Sequence, residues 1–571
     1  MKNFPYTSFR LANCSKVSKL KKLDTPFLAL PLLSPKGEDP RAQISPLGEQ
    51  GVSESKKLNS VSLVNQLHSR KQAPRRTLHC KSPLSFGKLI FAPQILVLIV
   101  LSLGFVSCKQ FEEKKPNVVM IVIDDLGWAD LGYMGSNFYE TPNIDQLANE
   151  GLVFTNAYAG AANCAPSRAC LLTGLNTPRH GVYTVSPSAR GKEKKKKITP
   201  TTNINFVDTA MVTLADEMRN AGYVTCNIGK WHIGENPGEQ GIDVNIAGGK
   251  WGHPKSYFAP YIYPEIDAPE GEYLTDRLTN EAIKFVTEHK DDPFFLYLPY
   301  YTVHTPLQCK PEVVKKYKAK AVEGNCQNHA TYGAMVELMD ENVGRLLATL
   351  KELDLEENTL IFFTSDNGGI RMVSCQDPLR AGKGSYYEGG IRVPLIVKWP
   401  GKINASAKSE EKVVNLDFYP TVLEAIGEKP LKQQLDGVSI LPLLTNNDAP
   451  AERPLIWHFP IYLQAYKKGY DQSTDPLFRT RPGSVILLGD WKLHQYFENN
   501  SIELYNLKED LGEQNNLAGS HPEKVNELLE ILDNWRKETG APVPQELNPK
   551  YDAEVEQKAI EKIHKKLENM M

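Results

Sequence analysis

The chain is predicted to be an α/β protein: a large, mixed, mostly parallel sheet flanked by helices, with a smaller C-terminal α+β subdomain. Three observations lead there. Short apolar runs rich in β-branched residues alternate with helix-period stretches through the middle of the chain. Polar clusters of Asp, His and Lys recur directly after those runs. Beyond Leu444 the pattern changes to short strands separated by Gly, Asp and Asn turns.

The elements follow in order. Asn117–Ile123, NVVMIVI, is a continuous apolar run that suits a strand buried on both faces, and it ends in Asp124-Asp125. Pro142–Glu150 reads as a helix, with Pro in its first turn and Gly151 at its end. A helix over 211–221, closed by Gly222, leads into a strand at 223–228. A helix at 274–289 precedes a strand at 293–300, and a long helix at 327–351 precedes a strand at 359–364. The Gly-rich segment GKGSYYEGGIRVP, 382–394, reads as a loop shaped around Lys383. Strands at 455–459, 484–488, 491–496 and 502–505 and a helix at 522–538 make up the C-terminal subdomain. The expected division is a leader over 1–107, a catalytic domain over 116–445, a subdomain over 446–540 and a charged helical tail over 541–571. The lysine run at 194–197 reads as a solvated loop.

Charge separates the leader from the rest. The whole chain of 571 residues carries a formal charge of -2, yet residues 1–107 hold 16 Lys/Arg against 5 Asp/Glu. The remainder is therefore acidic, which argues against a nucleic-acid partner. Any anionic ligand must be held by a local cluster of cations or a metal. The apolar run ILVLIVLSLGFV at 95–106 follows Arg75, Arg76, Lys81 and Lys88 and reads as a secretory signal. It is too short to span a bilayer comfortably. Cys108 resembles a lipobox cysteine, although Phe105 stands where Leu, Val or Ile is usual. An exported protein in the periplasm or cell envelope, anchored by lipid at Cys108, is the expectation. The nine cysteines match no CxxC zinc framework, and one or two disulfides are compatible with export.

The polar clusters after the strands carry the chemistry. In parallel sheets, ligand sites gather at the carboxyl ends of strands. Asp124, Asp125, Asp366 and Asn367 supply four oxygen-donating side chains there, a set suited to Ca2+ or, alternatively, Mg2+. Lys230, His232, His304, Arg168 and Lys383 could surround a tetrahedral anion. Arg offers a fork for oxyanions, Lys a point charge, and His a proton near neutral pH. Cys164, in NCAPSRACLLTG at 163–174, stands six residues before Cys170. On residues alone it is a disulfide partner, a buried hydrophobe, a thiol nucleophile or the precursor of a modified group.

The stretch CAPSRACLLTG resembles the signature of the formylglycine-dependent type I sulfatases of the alkaline-phosphatase-like superfamily. The resemblance covers residues 116–535 and includes IVIDDLG, TPNIDQLA, GKWHIG, FFLYLPYYTVHTP, FFTSDNGG and GKGSYYEGGIRVP in order. It implies that a maturation enzyme oxidises Cys164 to Cα-formylglycine, and that Asp124, Asp125, Asp366 and Asn367 bind the metal. It further implies that the hydrated aldehyde attacks sulfur while His304 protonates the leaving sugar oxygen. Lys383 would bind the sulfate, His232 would deprotonate the second hydroxyl to expel it, and Lys230 and Arg168 would hold the nucleophile. A gem-diol carries that second hydroxyl itself, whereas a thiol or serine ester of sulfate would need a water. The implied substrate is a sulfated oligo- or polysaccharide, such as an algal galactan, a fucan, or a glycosaminoglycan or mucin sugar. His458, in Trp457-His458-Phe459, is the candidate sugar ligand, with a core strand as the competing reading. The rival functions are a phosphodiesterase or phosphonate monoester hydrolase on the same scaffold, and a non-catalytic glycan-binding surface lipoprotein.

Overall fold

The computed structural model describes residues 114–568 apart from Ala189, Gln433, 467–471 and Thr474. The expected leader, the apolar segment at 95–106 and Cys108 lie outside the described residues.

A nine-stranded sheet forms the scaffold. Its strands are β1 (Asn117–Ile123), β2 (Leu152–Tyr158), β3 (Val224–Ile228), β4 (Val244–Ile246), β5 (Phe294–Pro299), β6 (Thr359–Ser365), β7 (Arg392–Lys398), β8 (Ala407–Ser409) and β9 (Val413–Val414). The order is β4-β3-β5-β1-β6-β7-β2-β8, with β9 also on β2. Pairing is parallel from β4 through β6, and β7 alone runs antiparallel to both its neighbours. The expected mixed, mostly parallel sheet is the one observed.

Helices cover both faces, so the central strand has no polar side. Val119, Ile121 and Ile123 of β1 enter one core with Leu278, Phe285, Met335 and Val343. Val118, Met120 and Val122 enter the other with Leu171, Leu172, Phe418 and Val422. Each such side chain stabilises the fold by roughly 1.5–3 kcal/mol through burial. The first core is covered by α1 (Pro142–Glu150) and, further along the chain, by Leu274–Glu288 and Ala330–Glu352. The second is covered by α2 (Cys164–Thr173) and by Phe418–Ala425.

A second sheet is antiparallel throughout: β10 (Leu455–Phe459), β13 (Gly483–Leu488), β14 (Trp491–Tyr496) and β15 (Ser501–Asn506). A two-stranded ribbon, β11 (Leu463–Gln464) with β12 (Phe478–Thr480), accompanies it. Leu528 and Leu532 of the helix Pro522–Thr539 pack on Ile456, Ile486, Leu493 and Leu504 of this sheet. Its other face meets Tyr386, Tyr387 and Ile391, the segment just after Lys383.

That contact contains a buried ion cluster. Lys492 of β14 reaches Glu388 at 2.8 Å and Glu513 at 2.9 Å, all three side chains fully buried. The Glu388 backbone N–H also donates to Glu513. These tertiary bonds explain a departure from expectation: 388–391 close into a helical turn, and β7 begins inside the segment expected to be loop. The lysine run departs too, because Lys196 is buried and bonded to Glu193 while Lys194 stays exposed. Among the described residues there is one disulfide, Cys326–Cys375, with Cα atoms 5.5 Å apart.

Candidate active site

The register of the sheet assembles the site. β1 and β6 pair from Asn117↔Thr359 to Ile123↔Ser365, so Asp124-Asp125 and Asp366-Asn367 leave the sheet side by side. Ser365 Oγ receives the Leu126 N–H and donates to the Asn367 carbonyl, tying the two exits together. Lys230 follows β3, where its N–H donates to the Pro299 carbonyl at the end of β5. His304 follows β5 on the next loop. Cys164 opens α2 after β2, and the Lys383 loop precedes the antiparallel β7, so both arrive at the same edge.

All ten of the predicted metal and catalytic residues meet there. Lys383 Nζ donates to Cys164 Sγ at 3.0 Å and to Asp125 Oδ2 at 2.8 Å. Lys230 Nζ donates to Asp124 Oδ2 at 2.7 Å. Arg168 Nε donates to Asp366 Oδ2 at 2.8 Å and its Nη1 to the Lys230 carbonyl at 2.7 Å. Asn367 Nδ2 donates to Asp125 Oδ1 at 2.8 Å, and the Asp125 N–H donates to Asp366 Oδ1. His304 Nδ1 bonds the Thr305 carbonyl, which leaves Nε2 3.6 Å from Asp125 Oδ2. His232 is buried, with an unpartnered Nδ1, and lies against Gly252, where a Cβ would meet the ring at 2.6 Å. Asp125 and His232 both sit at positive φ, 64° and 68°, a backbone region that costs such residues energy and that surrounding bonds must impose.

The donor set fits a hard divalent cation. Ligand atoms of Asp124, Asp125, Cys164 and His304 all lie within 4.8 Å of one another. Asp124 Oδ1 and Asn367 Oδ1 are buried oxygens without a hydrogen-bond partner. Orphaned buried oxygens are costly, and a cation relieves that cost. Burial pushes the Asp124 carboxyl up to about 7, with Lys230 opposing. Burial also pushes Asp125 up, but Lys383, His304 and Lys230 outweigh it and hold the carboxyl well below the usual range. Burial raises the Cys164 thiol to about 12 despite Lys230 and Lys383, so the sulfur is protonated at neutral pH and is a weak nucleophile as it stands. Burial, then the cations around it, keeps His232 neutral; burial, then Lys383, does the same for His304.

His458 is elsewhere, and the expectation of a sugar-facing ring does not hold in this geometry. It is 1% exposed on β10. Nδ1 bonds Ser484 Oγ at 2.8 Å and Nε2 bonds the Pro542 carbonyl at 2.9 Å, so neither nitrogen is left for a hydroxyl. Burial drives its pKa down to about 3. Cys170 is a buried residue of α2. Two residues at the site escaped sequence reasoning. Ser365 stands inside FFTSDNGG, directly before Asp366, but no residue type or spacing there assigns it a role. Arg479 donates to the Lys383 carbonyl at 3.1 Å from a segment with no motif.

Comparison with known proteins agrees with this geometry. The Sulfatase family matches residues 116–428, and a family described as N-sulphoglucosamine sulphohydrolase, C-terminal, matches 382–538. A protein named Sulfatase from Formosa agariphila is 34% identical over 72% of this chain and 86% of its own. An N-acetylgalactosamine-6-O-sulfatase from Bacteroides thetaiotaomicron is 29% identical over 74% of this chain and 93% of its own. The solved structure of Ps i-CgsB in complex with k-i-k-neocarrahexaose superposes with a TM-score of 0.61 at 32% identity, covering 74% of this chain and 93% of that one.

Proposed function

The chain belongs to the sulfatase family, and from that premise we infer that it hydrolyses sulfate esters of a sulfated saccharide, using a formylglycine made from Cys164. One observation carries the reading. Cys164 lies between Lys383 and a set of buried, partly orphaned oxygens that fit a cation, with His232 and His304 alongside. The relatives named for 6-sulfated N-acetylgalactosamine and the saccharide complex of Ps i-CgsB support a sulfated sugar as substrate.

Asp124, Asp125, Asp366 and Asn367 would hold Ca2+, with Mg2+ the alternative, and the bound ion supplies positive charge to the sulfate oxygens and the nucleophile. Residue 164, once oxidised and hydrated, would offer two hydroxyls, a nucleophile for sulfur and a second group for sulfate release. The rest falls to the chain's own side chains. Lys383 Nζ, already on Cys164 Sγ, binds a sulfate oxygen. The Nδ1–H bond of His304 to the Thr305 carbonyl orients Nε2, which passes a proton to the leaving sugar oxygen from the imidazolium form, the form that Asp125 at 3.6 Å favours. His232, neutral and with an unpartnered Nδ1, takes a proton from the second hydroxyl. Arg168 and Lys230, pinned by Asp366 and Asp124, keep a fixed positive field around position 164. Export through 95–106, lipidation of Cys108 and oxidation by a formylglycine-generating enzyme belong to the same reading and rest on the sequence.

The test is sulfate release. The mature chain, co-expressed with a formylglycine-generating enzyme, is assayed by ion chromatography on defined sulfated saccharides and on matching phosphodiesters and phosphonates. Sulfate release from a saccharide at the higher kcat/KM is expected. Faster turnover of a phosphodiester or phosphonate would move the activity to that class, and saccharide binding with no turnover would favour a glycan-binding role.

A further inference from the structure

Four arginines are buried among the described residues: Arg168, Arg392, Arg479 and Arg536. Three are paired with carboxylates, namely Asp366, Glu388 and Asp533. Arg479 is not. Its Nε donates to the Gln464 carbonyl at 3.1 Å, and its Nη1 to the Lys383 carbonyl at 3.1 Å and Tyr466 Oη at 2.8 Å. The guanidinium lies 4.1 Å from the Tyr466 ring centroid, and no acceptor for Nη2 is found among the described residues. Neutral acceptors and a ring face satisfy donors but leave the charge uncompensated, which is costly for a buried group.

The position of this charge matters. Arg479 grips the carbonyl of the residue whose ammonium touches Cys164. Gly384, at φ 89°, makes that approach feasible, since a Cβ there would meet Nη1 at 2.8 Å. A second guanidinium stands nearby. Among the described residues, Arg190 bonds the Pro187 and Ser186 carbonyls of its own turn and pairs with no carboxylate. The adjoining Gly191 faces Phe478 and Gln464 of the ribbon that carries Arg479. Burial, then the like charge of Arg479, lowers the Arg190 pKa, which places the two guanidinium groups within reach of each other's charge.

We propose that Arg190 and Arg479 form an oxyanion subsite beside the reaction centre, which takes a second anionic group of the substrate saccharide, a sulfate ester or a carboxylate. The proposal rests on the sulfatase reading above and adds a substrate class: saccharides with a second anion close to the scissile sulfate. The second anion does not react. Its contact is made equally in the ground and transition states, so it should lower KM and leave kcat little changed.

The experiment compares kcat/KM of the matured full chain on three probes: N-acetylgalactosamine monosulfate, the matching disulfate, and the monosulfate joined to a glucuronate. A charge-assisted contact predicts a preference of about tenfold for one dianionic probe over the monosulfate. The favoured probe tells sulfate from carboxylate. The preference should narrow with added salt and collapse towards unity in Arg190→Gln and Arg479→Gln, mainly through KM. Arg190→Gln keeps the test decisive if Arg479→Gln fails to fold, because the bonds of Arg190 among the described residues stay within its own turn. Equal kcat/KM on all three probes, or a preference that survives in folded Arg190→Gln, overturns the subsite. No sulfate from any saccharide would instead overturn the sulfatase reading.

Discussion

His458 gives the sharpest stability prediction, because its buried ring separates a core role from a sugar-binding one. The folded chain holds the imidazole at a pKa of about 3, mainly through burial, against 6.5 for a free histidine. As pH falls below 6.5 the unfolded chain binds a proton that the folded chain refuses. Stability is therefore full above about pH 6.5 and is lost progressively as pH falls towards 3. Between pH 7 and pH 5 this one ring costs about 2 kcal/mol. His458→Gln removes the titration. It should lose stability at pH 7 by about 1–3 kcal/mol, since Ser484 and the Pro542 carbonyl lose partners. Its further loss between pH 7 and 5 should be smaller than the wild-type loss by about 2 kcal/mol. Urea unfolding followed by tryptophan fluorescence at both pH values reads the difference. Equal losses in the two proteins would refute the buried neutral ring. A raised saccharide KM with unchanged stability would return His458 to the sugar site.

Other features give independent tests. The Cys326–Cys375 bridge spans a sequence separation of 49, which by loop-closure entropy is worth about 4 kcal/mol. Calorimetry with and without reductant should show a lower Tm on reduction, and an unchanged Tm would argue that the bridge constrains nothing. Lys492→Met leaves Glu388 and Glu513 buried without their ammonium and should destabilise the fold by about 3–5 kcal/mol. Adding Glu388→Gln and Glu513→Gln should restore much of that loss in the same unfolding assay, and no restoration would contradict the charge argument. His304→Ala should slow an alkyl sugar sulfate far more than an activated aryl sulfate, by about 10²-fold or more. Equal losses on both would remove His304 from the proton-transfer role.

What was legible in the sequence followed from local physics. The apolar run at 117–123, Pro142 and the strand-like stretches between turn residues at 455–459 and 491–496 mark their elements to the residue. The helix expected at 211–221 spans Leu214–Asn220, because Thr213 and Asp216 form a capping box that starts it later. Much of the candidate cluster was legible because Asp124, Lys230, His304 and Asp366 each follow a strand, and parallel pairing brings those strand ends together. What stayed hidden depends on distant partners. The turn at 388–391 is set by Glu513 and Lys492, more than 100 residues away. His458 sits on a strand whose residues are all buried, so alternation could not say which way the ring faced. Arg479 carries no local signal, and only the fold shows that it has no carboxylate partner among the described residues and holds the Lys383 loop.

The central claim concerns the chemical identity of residue 164, and mass spectrometry of the peptide containing it measures that directly. The account predicts that active enzyme from a host with formylglycine-generating activity carries an aldehyde there. A hydrazide reagent should label it, and Cys170 in the same peptide should remain a thiol. Full saccharide sulfatase activity from protein whose residue 164 is an unmodified cysteine would contradict it.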